Sequence, residues 1–195
     1  MRKCFIGFIL LVFSMVAIQG HADSGLDTVK SRINQVLAVL KDPALKSDSA
    51  KELKKKQLRA IFDNTFDYTE LSRATLSRYW DKFSPEQQKE FMLLYKNLLE
   101  KVYMDEILSY KDQQIAFGKE RSLGENRVEV DTKLISQKTE TPINFRLVSK
   151  SGQWWVYDFV IENISVVANY RSQFGRILTK ESPEKMLDDL RKRAG

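Results

Sequence analysis

The stretch at residues 152–174 reads GQWWVYDFVIENISVVANYRSQF, and it decides how the rest of the chain must fold. Its first part, residues 154–161, is dense in aromatic and β-branched side chains and is predicted to be a β-strand. Alternate side chains of a strand point to opposite faces. The two predicted faces are Trp154, Val156, Asp158 and Val160, and Trp155, Tyr157, Phe159 and Ile161. Because both sets are mostly apolar, the strand is predicted to be covered on both faces.

Working outward from this strand, the pattern predicts helices, then a sheet, then helices. Ser165 is a predicted N-cap for a helix through Val166, Val167, Tyr170 and Phe174. Three more strands are predicted at 114–121, 128–134 and 143–147, with turns at Gly124-Glu125-Asn126 and Ser151-Gly152. The short turns make this a four-stranded antiparallel meander, so the fold class is α+β, with N- and C-terminal helices packed on the sheet.

The predicted helices follow from apolar side chains at helical spacing and from capping residues. Helices are predicted at 26–40 and at 47–62, and within residues 66–80 a third helix, capped by Asp67, is predicted to carry Leu71, Leu76 and Trp80. Ser84-Pro85-Glu86-Gln87 predicts a capping box that starts a long helix with a wide apolar stripe. A terminal helix is predicted to begin at Ser182-Pro183-Glu184.

The N-terminus is typical of an export signal. Arg2 and Lys3 precede a short apolar run, and Gly20-His21-Ala22 is a small-x-small cleavage site. We therefore predict a signal peptide at 1–22 and one mature domain at 23–195. A membrane anchor is the alternative, although a span needs about 20 apolar residues. Export without disulfides indicates a bacterial periplasm.

Cleavage would remove both Cys4 and His21, the only cysteine and histidine of the chain. The mature protein would then lack the groups for Cys-His or Ser-His-Asp catalysis and for common zinc sites. The net charge is +6 and basic residues occur along the whole chain, which argues against a nucleic-acid-binding arm but is compatible with brief contact with a membrane. The lysines at 51 and 54–56 are expected to form a solvated face, with membrane or partner contact as the minority interpretation.

Asp158 and Glu162 are the one carboxylate pair that could suggest a hydrolase. On a straight strand they would be about 13 Å apart, which is too wide for a glycosidase. We predict instead a structural polar cluster of Asp158, Glu162 and Arg171, in which the carboxylates pair with Arg171 or Arg146. No catalytic residue, metal site or cofactor is predicted.

Two stretches of the chain resemble the MlaC family, also called toluene-tolerance auxiliary proteins. The first contains Phe66-Asp67-Tyr68, Leu76, Trp80, Ser84 with Gln87 or Gln88, Phe91, Leu98-Leu99 and Tyr103. The second contains Trp154, Val156-Tyr157-Asp158, Ile161-Glu162, Ile164-Ser165, Asn169-Tyr170-Arg171 and Gln173-Phe174. The chain departs from the family pattern at Ser77 and Asn163, where the family typically has glycine. Asparagine tolerates a positive φ better than most residues, so the turn at Asn163 is expected to survive.

The resemblance implies a periplasmic phospholipid carrier that is not an enzyme. Such a carrier would move lipid between an outer-membrane lipoprotein complex and an inner-membrane ABC transporter with an MCE-domain subunit, and so maintain outer-membrane lipid asymmetry. Phospholipid would be its cargo rather than a cofactor, and the protein is expected to be a monomer. The alternatives are an exported module that binds no lipid, a carrier of another lipid such as a hopanoid, and a carboxylate-based hydrolase.

A carrier needs an apolar cavity between its sheet and its helices. The choice of the Tyr157 face of the central strand over the Val156 face is open, because both are apolar. The predicted lipid-binding residues are Leu98, Val102, Ile107, Leu134, Phe145, Tyr157, Phe159, Ile161, Val166 and Tyr170.

Overall fold

A five-stranded antiparallel sheet forms the centre of the molecule in a computed structural model that describes residues 24–194. The strands are β1 (Gln114–Gly124), β2 (Arg127–Ile135), β3 (Glu140–Lys150), β4 (Gln153–Ile161) and β5 (Ile164–Ser165), and they lie in chain order. The predicted α+β meander is confirmed, with the two-residue β5 as an addition. The predicted signal peptide at 1–22 lies outside the described residues.

Helices precede and follow the sheet, as predicted. They are α1 (Gly25–Lys41), α2 (Lys51–Asp63), α3 (Tyr68–Leu76), α4 (Pro85–Leu108), α5 (Val166–Leu178) and α6 (Pro183–Ala194). The Asp67 side chain caps α3, Ser165 caps α5, and Ser84 and Gln87 form the predicted capping box of α4. Each cap supplies an acceptor to backbone N–H groups that have no partner within the first turn.

Two predicted helices have different bounds in the structure. The helix predicted at 47–62 begins at Lys51, because a short 3₁₀ turn at Asp48–Ala50 precedes it. The helix predicted to run from its Asp67 cap to Trp80 ends at Leu76, and a 3₁₀ turn, Ser77–Lys82, follows. Ser77 has φ 50° and ψ −123°, a conformation that is incompatible with a continuing α-helix and that favours glycine.

A β-bulge at Tyr157 changes the faces of the central strand. Arg146 pairs with Asp158, but the next residue of β3, Leu147, pairs with Val156, so Tyr157 is an extra residue of β4. The residues on either side of the bulge therefore share a face: Trp154, Val156, Phe159 and Ile161 all lie on what we call the inner face. The predicted strict alternation was wrong because a strand that contains a bulge loses its period of two.

The segment before α3 extends the sheet beside the bulge. The Val156 N–H donates to the Thr65 carbonyl, and the Asp67 N–H donates to the Val156 carbonyl, both at 2.9 Å. Phe66 thereby lies against the inner face, where its ring meets Phe159 edge-on with centroids 6.0 Å apart.

Helix α1 covers the inner face of the sheet near the β1–β2 hairpin. The Glu120 carboxylate accepts a hydrogen bond of 2.7 Å from the Leu26 N–H in the first turn of α1. A Cβ atom at Gly25 would lie 2.6 Å from Val128 Cγ2, so glycine is needed for this close approach. Val29 of α1 then packs with Val128, Val130, Leu147 and Val156 in a small core under the sheet.

The outer face carries a row of charges across three strands. Glu129 accepts hydrogen bonds from Arg121 at 2.6 Å and from Arg146 at 2.7 Å. Burial raises the pKa of Glu129, but the hydrogen bonds and positive charges of Arg146 and Arg121 together lower it by more, so its pKa lies below the ordinary value. The two faces therefore differ sharply, and only the inner one is continuous apolar surface.

The free edge of the sheet is irregular. In β1, Phe117 pairs with Thr132 and Glu120 with Val130, so one extra residue bulges out near Gly118 and Lys119. Lys119 and Arg121 on this strand are exposed.

Candidate functional site

An apolar cavity of about 350 Å³ lies between the inner face of the sheet and helices α1, α2 and α4. Its volume is within the range of sites that bind small organic molecules, roughly 300–1,000 Å³. The apolar and aromatic residues of its wall are Ile33, Val36, Leu37, Leu40, Phe62, Phe66, Tyr68, Leu71, Leu99, Tyr103, Met104, Ile107, Tyr110, Ile115, Leu134, Ile143, Phe145, Phe159 and Ile161. Such a surface can bind a hydrocarbon chain.

Three hydroxyl groups of the wall donate hydrogen bonds to backbone carbonyls. Thr65 donates to the Ile61 carbonyl at 2.7 Å, and Tyr110 donates to the Gln113 carbonyl at 2.6 Å. Thr132 donates to the Ile143 carbonyl of the neighbouring strand. Because these donors already have acceptors, they add little polarity to the cavity surface.

Two tyrosines of the wall, Tyr68 and Tyr103, stay neutral. Burial raises the pKa of Tyr68, and the carboxylates of Asp63 and Glu100 raise it further. Burial also raises the pKa of Tyr103. The two phenols therefore do not ionise in the physiological range, so their rings act as apolar wall.

Charged side chains of the wall come mainly from α2 and α4. Arg59 pairs with Glu100, and Lys96 pairs with Asp63 while its ammonium lies 5.2 Å from the centre of the Tyr68 ring. These pairs link α2 to α4 beside the cavity. The Arg59 side chain is 43% exposed, so this side of the cavity reaches solvent.

Half of the predicted lipid-binding residues line the cavity. They are Ile107, Leu134, Phe145, Phe159 and Ile161. Four of these come from the sheet, where Phe145 pairs with Phe159 on the neighbouring strand. The Phe159 and Ile161 side of β4 was the face chosen in the prediction, and it faces the cavity.

The other half do not line the cavity. Leu98, Val166 and Tyr170 are buried in the packed core between α3, α4, α5 and α6, which borders the cavity at Leu71 and Leu99. Val102 of α4 is 49% exposed and is not part of the cavity wall. Tyr157 is the bulge residue, and its ring lies against the Arg127 guanidinium, 4.6 Å from ring centre to Cζ.

The predicted polar cluster is not formed as a unit. Asp158 is 2% exposed and accepts from the Ser165 hydroxyl, the Val167 N–H and Arg146. The prediction had offered Arg171 or Arg146 as the cation that pairs with the carboxylates, and Asp158 pairs with Arg146. Arg171 instead donates to the Ala74 carbonyl at 2.9 Å. Glu162 is exposed, with φ 49°, in the turn to β5.

Sequence reasoning missed the wall that α1 supplies. Ile33, Val36, Leu37 and Leu40 have the helical spacing that predicted the helix at 26–40, but they were not among the predicted lipid-binding residues. The aromatic wall at Phe62, Phe66 and Tyr68 was also missed. The Phe66-Asp67-Tyr68 motif was a usable signal, since it places two aromatic rings on either side of the N-cap of α3.

Within residues 24–194, no group of three His, Cys, Asp or Glu side chains is placed to hold a metal ion. None of the helices in that range is long and apolar enough to cross a membrane.

Comparison with known proteins agrees on one family. The family model described as MlaC protein matches residues 30–192. The intermembrane phospholipid transport system binding protein MlaC of Haemophilus influenzae is 27% identical over 146 residues, which are 70% of this chain and 68% of that protein. The toluene tolerance protein ttg2D of Pseudomonas putida is 22% identical over 170 residues, covering 86% of this chain and 79% of that one.

A solved structure shares the fold. It is a phospholipid-binding protein from Ralstonia solanacearum in complex with a phospholipid. The two structures superpose with a TM-score of 0.79 at 22% sequence identity, covering 88% of this chain and 97% of the other. At this identity the match shows that the helices and the sheet have the same arrangement.

Proposed function

This chain belongs to the MlaC family, and on that premise we propose that it is a carrier that moves phospholipid through the periplasm. The observation that carries the proposal is the cavity between the inner sheet face and α1, α2 and α4, whose wall is almost wholly apolar. Two proteins similar to this chain are named for phospholipid transport or phospholipid binding, which supports the same cargo.

The energetics of lipid transfer favour a carrier of this kind. The two chains of a phospholipid contain on the order of 30 methylenes, and exposing them to water would cost roughly 24 kcal/mol at about 0.8 kcal/mol each. Bilayer and cavity are both apolar, so movement between them is close to neutral. Binding and release then require no covalent chemistry, and the proposed protein is not an enzyme.

The proposal extends to the route of the lipid. The carrier would exchange lipid with an inner-membrane ABC transporter that has an MCE-domain subunit and with an outer-membrane lipoprotein complex. It would thereby maintain the lipid asymmetry of the outer membrane. This route needs export with cleavage after Ala22, so N-terminal sequencing of the protein from a periplasmic extract is expected to begin at Asp23. An intact Met1 in the membrane fraction would contradict it.

Two experiments test the proposed carrier function: detection of bound lipid, and a comparison of substitutions at two neighbouring residues. Native mass spectrometry of the purified protein is expected to show bound phospholipid. Ile161→Trp places a ring into the cavity, so the delipidated variant should keep near-normal stability but hold less phospholipid. Val160→Trp is the control, because Val160 is buried outside the cavity wall and overpacking there costs typically about 1–3 kcal/mol.

The outcomes separate the candidate functions. A purified protein without lipid, in which Ile161→Trp destabilises as much as Val160→Trp, would point to an interaction module with an ordinary core. Lipid extracts that contain a hopanoid in place of phospholipid would keep the carrier and change its cargo.

A further inference from the structure

Basic side chains are concentrated in one segment next to the cavity, residues 41–59, which we call the basic segment. It contains seven lysines and arginines against three carboxylates, a net charge of +4, while the whole chain has +6. The segment comprises the end of α1, the short 3₁₀ turns Pro43–Leu45 and Asp48–Ala50, and most of α2. Its charge therefore exceeds what an evenly charged surface would place there.

The basic segment is exposed and includes an outward-pointing apolar side chain. Lys46, Lys51 and Lys56 are exposed, and Leu53 between them is 51% exposed. One turn further on, Leu58 of the same helix is fully buried, so α2 is anchored by its inner side. Leu53 thus lies on the solvent side of a fixed helix, surrounded by lysines.

Helix α2 connects this surface to the cavity. Its C-terminal part supplies Arg59 and Phe62 to the cavity wall, and Leu40 of the wall directly precedes Lys41. A surface that contacts the basic segment would therefore lie beside the side of the cavity that reaches solvent.

The kind of cation indicates the kind of partner. Protein–protein interfaces are enriched in arginine and depleted in lysine, whereas six of the seven cations of the basic segment are lysines. Lysine is a compact, hydrated point charge that suits a diffuse layer of phosphates better than paired contacts with carboxylates. An exposed leucine among lysines also fits a surface whose charged layer covers a hydrocarbon interior.

From these observations we propose that the basic segment docks the protein on an anionic phospholipid surface, with Leu53 inserted between head groups. The proposal rests on the proposed carrier function for its purpose, since docking would bring the cavity to the bilayer from which lipid is taken or to which it is given. Binding would be brief and sensitive to salt, because a few lysines at a surface are screened within about 10 Å at moderate ionic strength.

Vesicle co-sedimentation tests the docking. We expect the wild-type protein to bind vesicles of phosphatidylglycerol and phosphatidylcholine in equal parts, to release at high salt, and not to bind pure phosphatidylcholine. Lys51→Glu with Lys56→Glu should lower binding at least about tenfold, since each surface lysine contributes roughly a fivefold gain. Lys119→Glu with Lys185→Glu makes the same change of charge on β1 and α6 and should have a much smaller effect.

Leu53 provides a second, independent readout. Leu53→Trp should show a blue shift of its fluorescence with the anionic vesicles, while Leu123→Trp, at a leucine of similar exposure in β1, should show none. Circular dichroism checks that all variants are folded, as expected for exposed positions.

Three results would overturn the proposal. One is wild-type protein that binds neutral and anionic vesicles equally or not at all. Another is an equal loss of binding in the two charge-reversal pairs, which would show an effect of net charge alone. The third is the absence of vesicle binding together with retention on immobilised polyglutamate that needs Lys51 and Lys56, which would assign the segment to an acidic protein. The phospholipid content of the purified variants is measured alongside, and it should be unchanged, so failure of docking and failure of the carrier function are distinguished.

Discussion

Two apolar regions of this molecule are built from similar residues, but one is filled and the other encloses a cavity. The packed half lies between α3, α4, α5 and α6, and the cavity half lies between α1, α2, the end of α4 and the sheet. Helix α4 belongs to both: Phe91 and Tyr95 near its start are fully buried in the packed half, whereas Tyr103 and Ile107 line the cavity.

The difference lies in what meets the helix. In the packed half, aromatic rings from α4 and α5 meet each other, with Tyr95 5.2 Å from Tyr170 and 5.6 Å from Phe174 between centroids. In the cavity half, rings contact one another along a wall, from Phe66 through Phe159 to Tyr103, and the aliphatic stripe of α1 lines the cavity as well. Rings that interlock between two helices fill the space of the packed half. Rings that line up along one wall leave the space of the cavity half open. An apolar stripe on a helix therefore does not by itself predict a solid core.

The largest expected contrast is between two phenylalanine substitutions. Phe174→Ala removes a fully buried ring from the packed half and should lower the free energy of unfolding by about 3–5 kcal/mol. Phe145→Ala removes a half-buried ring that faces the cavity, so we expect less than half of that cost in delipidated protein. Urea denaturation measures both, and equal costs would show that the cavity half is packed as tightly as the other.

A smaller effect is expected where the sheet is joined to the packed half. Asp158 fixes the first turn of α5 to the sheet through the Val167 N–H, at 3.0 Å, and pairs with Arg146. Asp158→Asn should cost about 1.5–3 kcal/mol, because hydrogen bonds to a charged group are lost. Thermal unfolding measures the cost, with Arg171→Ala as a control that leaves the Asp158 contacts in place. Bound phospholipid should be retained in folded Asp158→Asn protein, and its loss would show that this joint shapes the cavity.

The smallest effect concerns two surface ion pairs that hold helices to α4. Glu100 pairs with Arg59 of α2 in the cavity half, and Glu90 pairs with Arg191 of α6 in the packed half. Glu100→Gln and Glu90→Gln should each lower global stability by less than about 1 kcal/mol. Backbone hydrogen exchange should nevertheless increase in α2 of the Glu100→Gln variant. It should not increase in α6 of the Glu90→Gln variant. Met186, Leu187 and Leu190 anchor α6 in the core, whereas Leu58 is the buried anchor of α2. Equal protection of α2 and α6 from hydrogen exchange would show that the two helices are held equally firmly, and it would contradict this prediction.

The sequence was a good guide to elements whose signals are local. Ser84, Asp67 and Ser165 mark helix starts because a cap is a contact between residues three positions apart. The order of the strands followed from short turns. Asn163 adopts φ 66°, so the turn at this position survives the absence of glycine, as expected.

Features that depend on pairing between strands were not predictable in this way. The bulge at Tyr157 exists only relative to β3, and no pattern within 154–161 shows where the alternation breaks. The prediction of which apolar residues of α4 line the cavity was only partly correct, for a similar reason. Leu98 and Ile107 belong to one stripe, and only the elements packed against them decide which of the two meets the cavity.

The edges of the sheet have a consequence for how copies of this protein behave at high concentration. A long, flat edge strand is a template for pairing with another chain, and many β-proteins aggregate in this way. Here β1 is bent by its bulge near Gly118 and carries the exposed charges of Lys119 and Arg121. At the opposite side, β4 is bordered by the two-residue β5 and by the segment at Thr65 and Asp67. Both borders therefore disfavour strand-to-strand association, so a protein with a large apolar interior can remain dispersed in a crowded compartment.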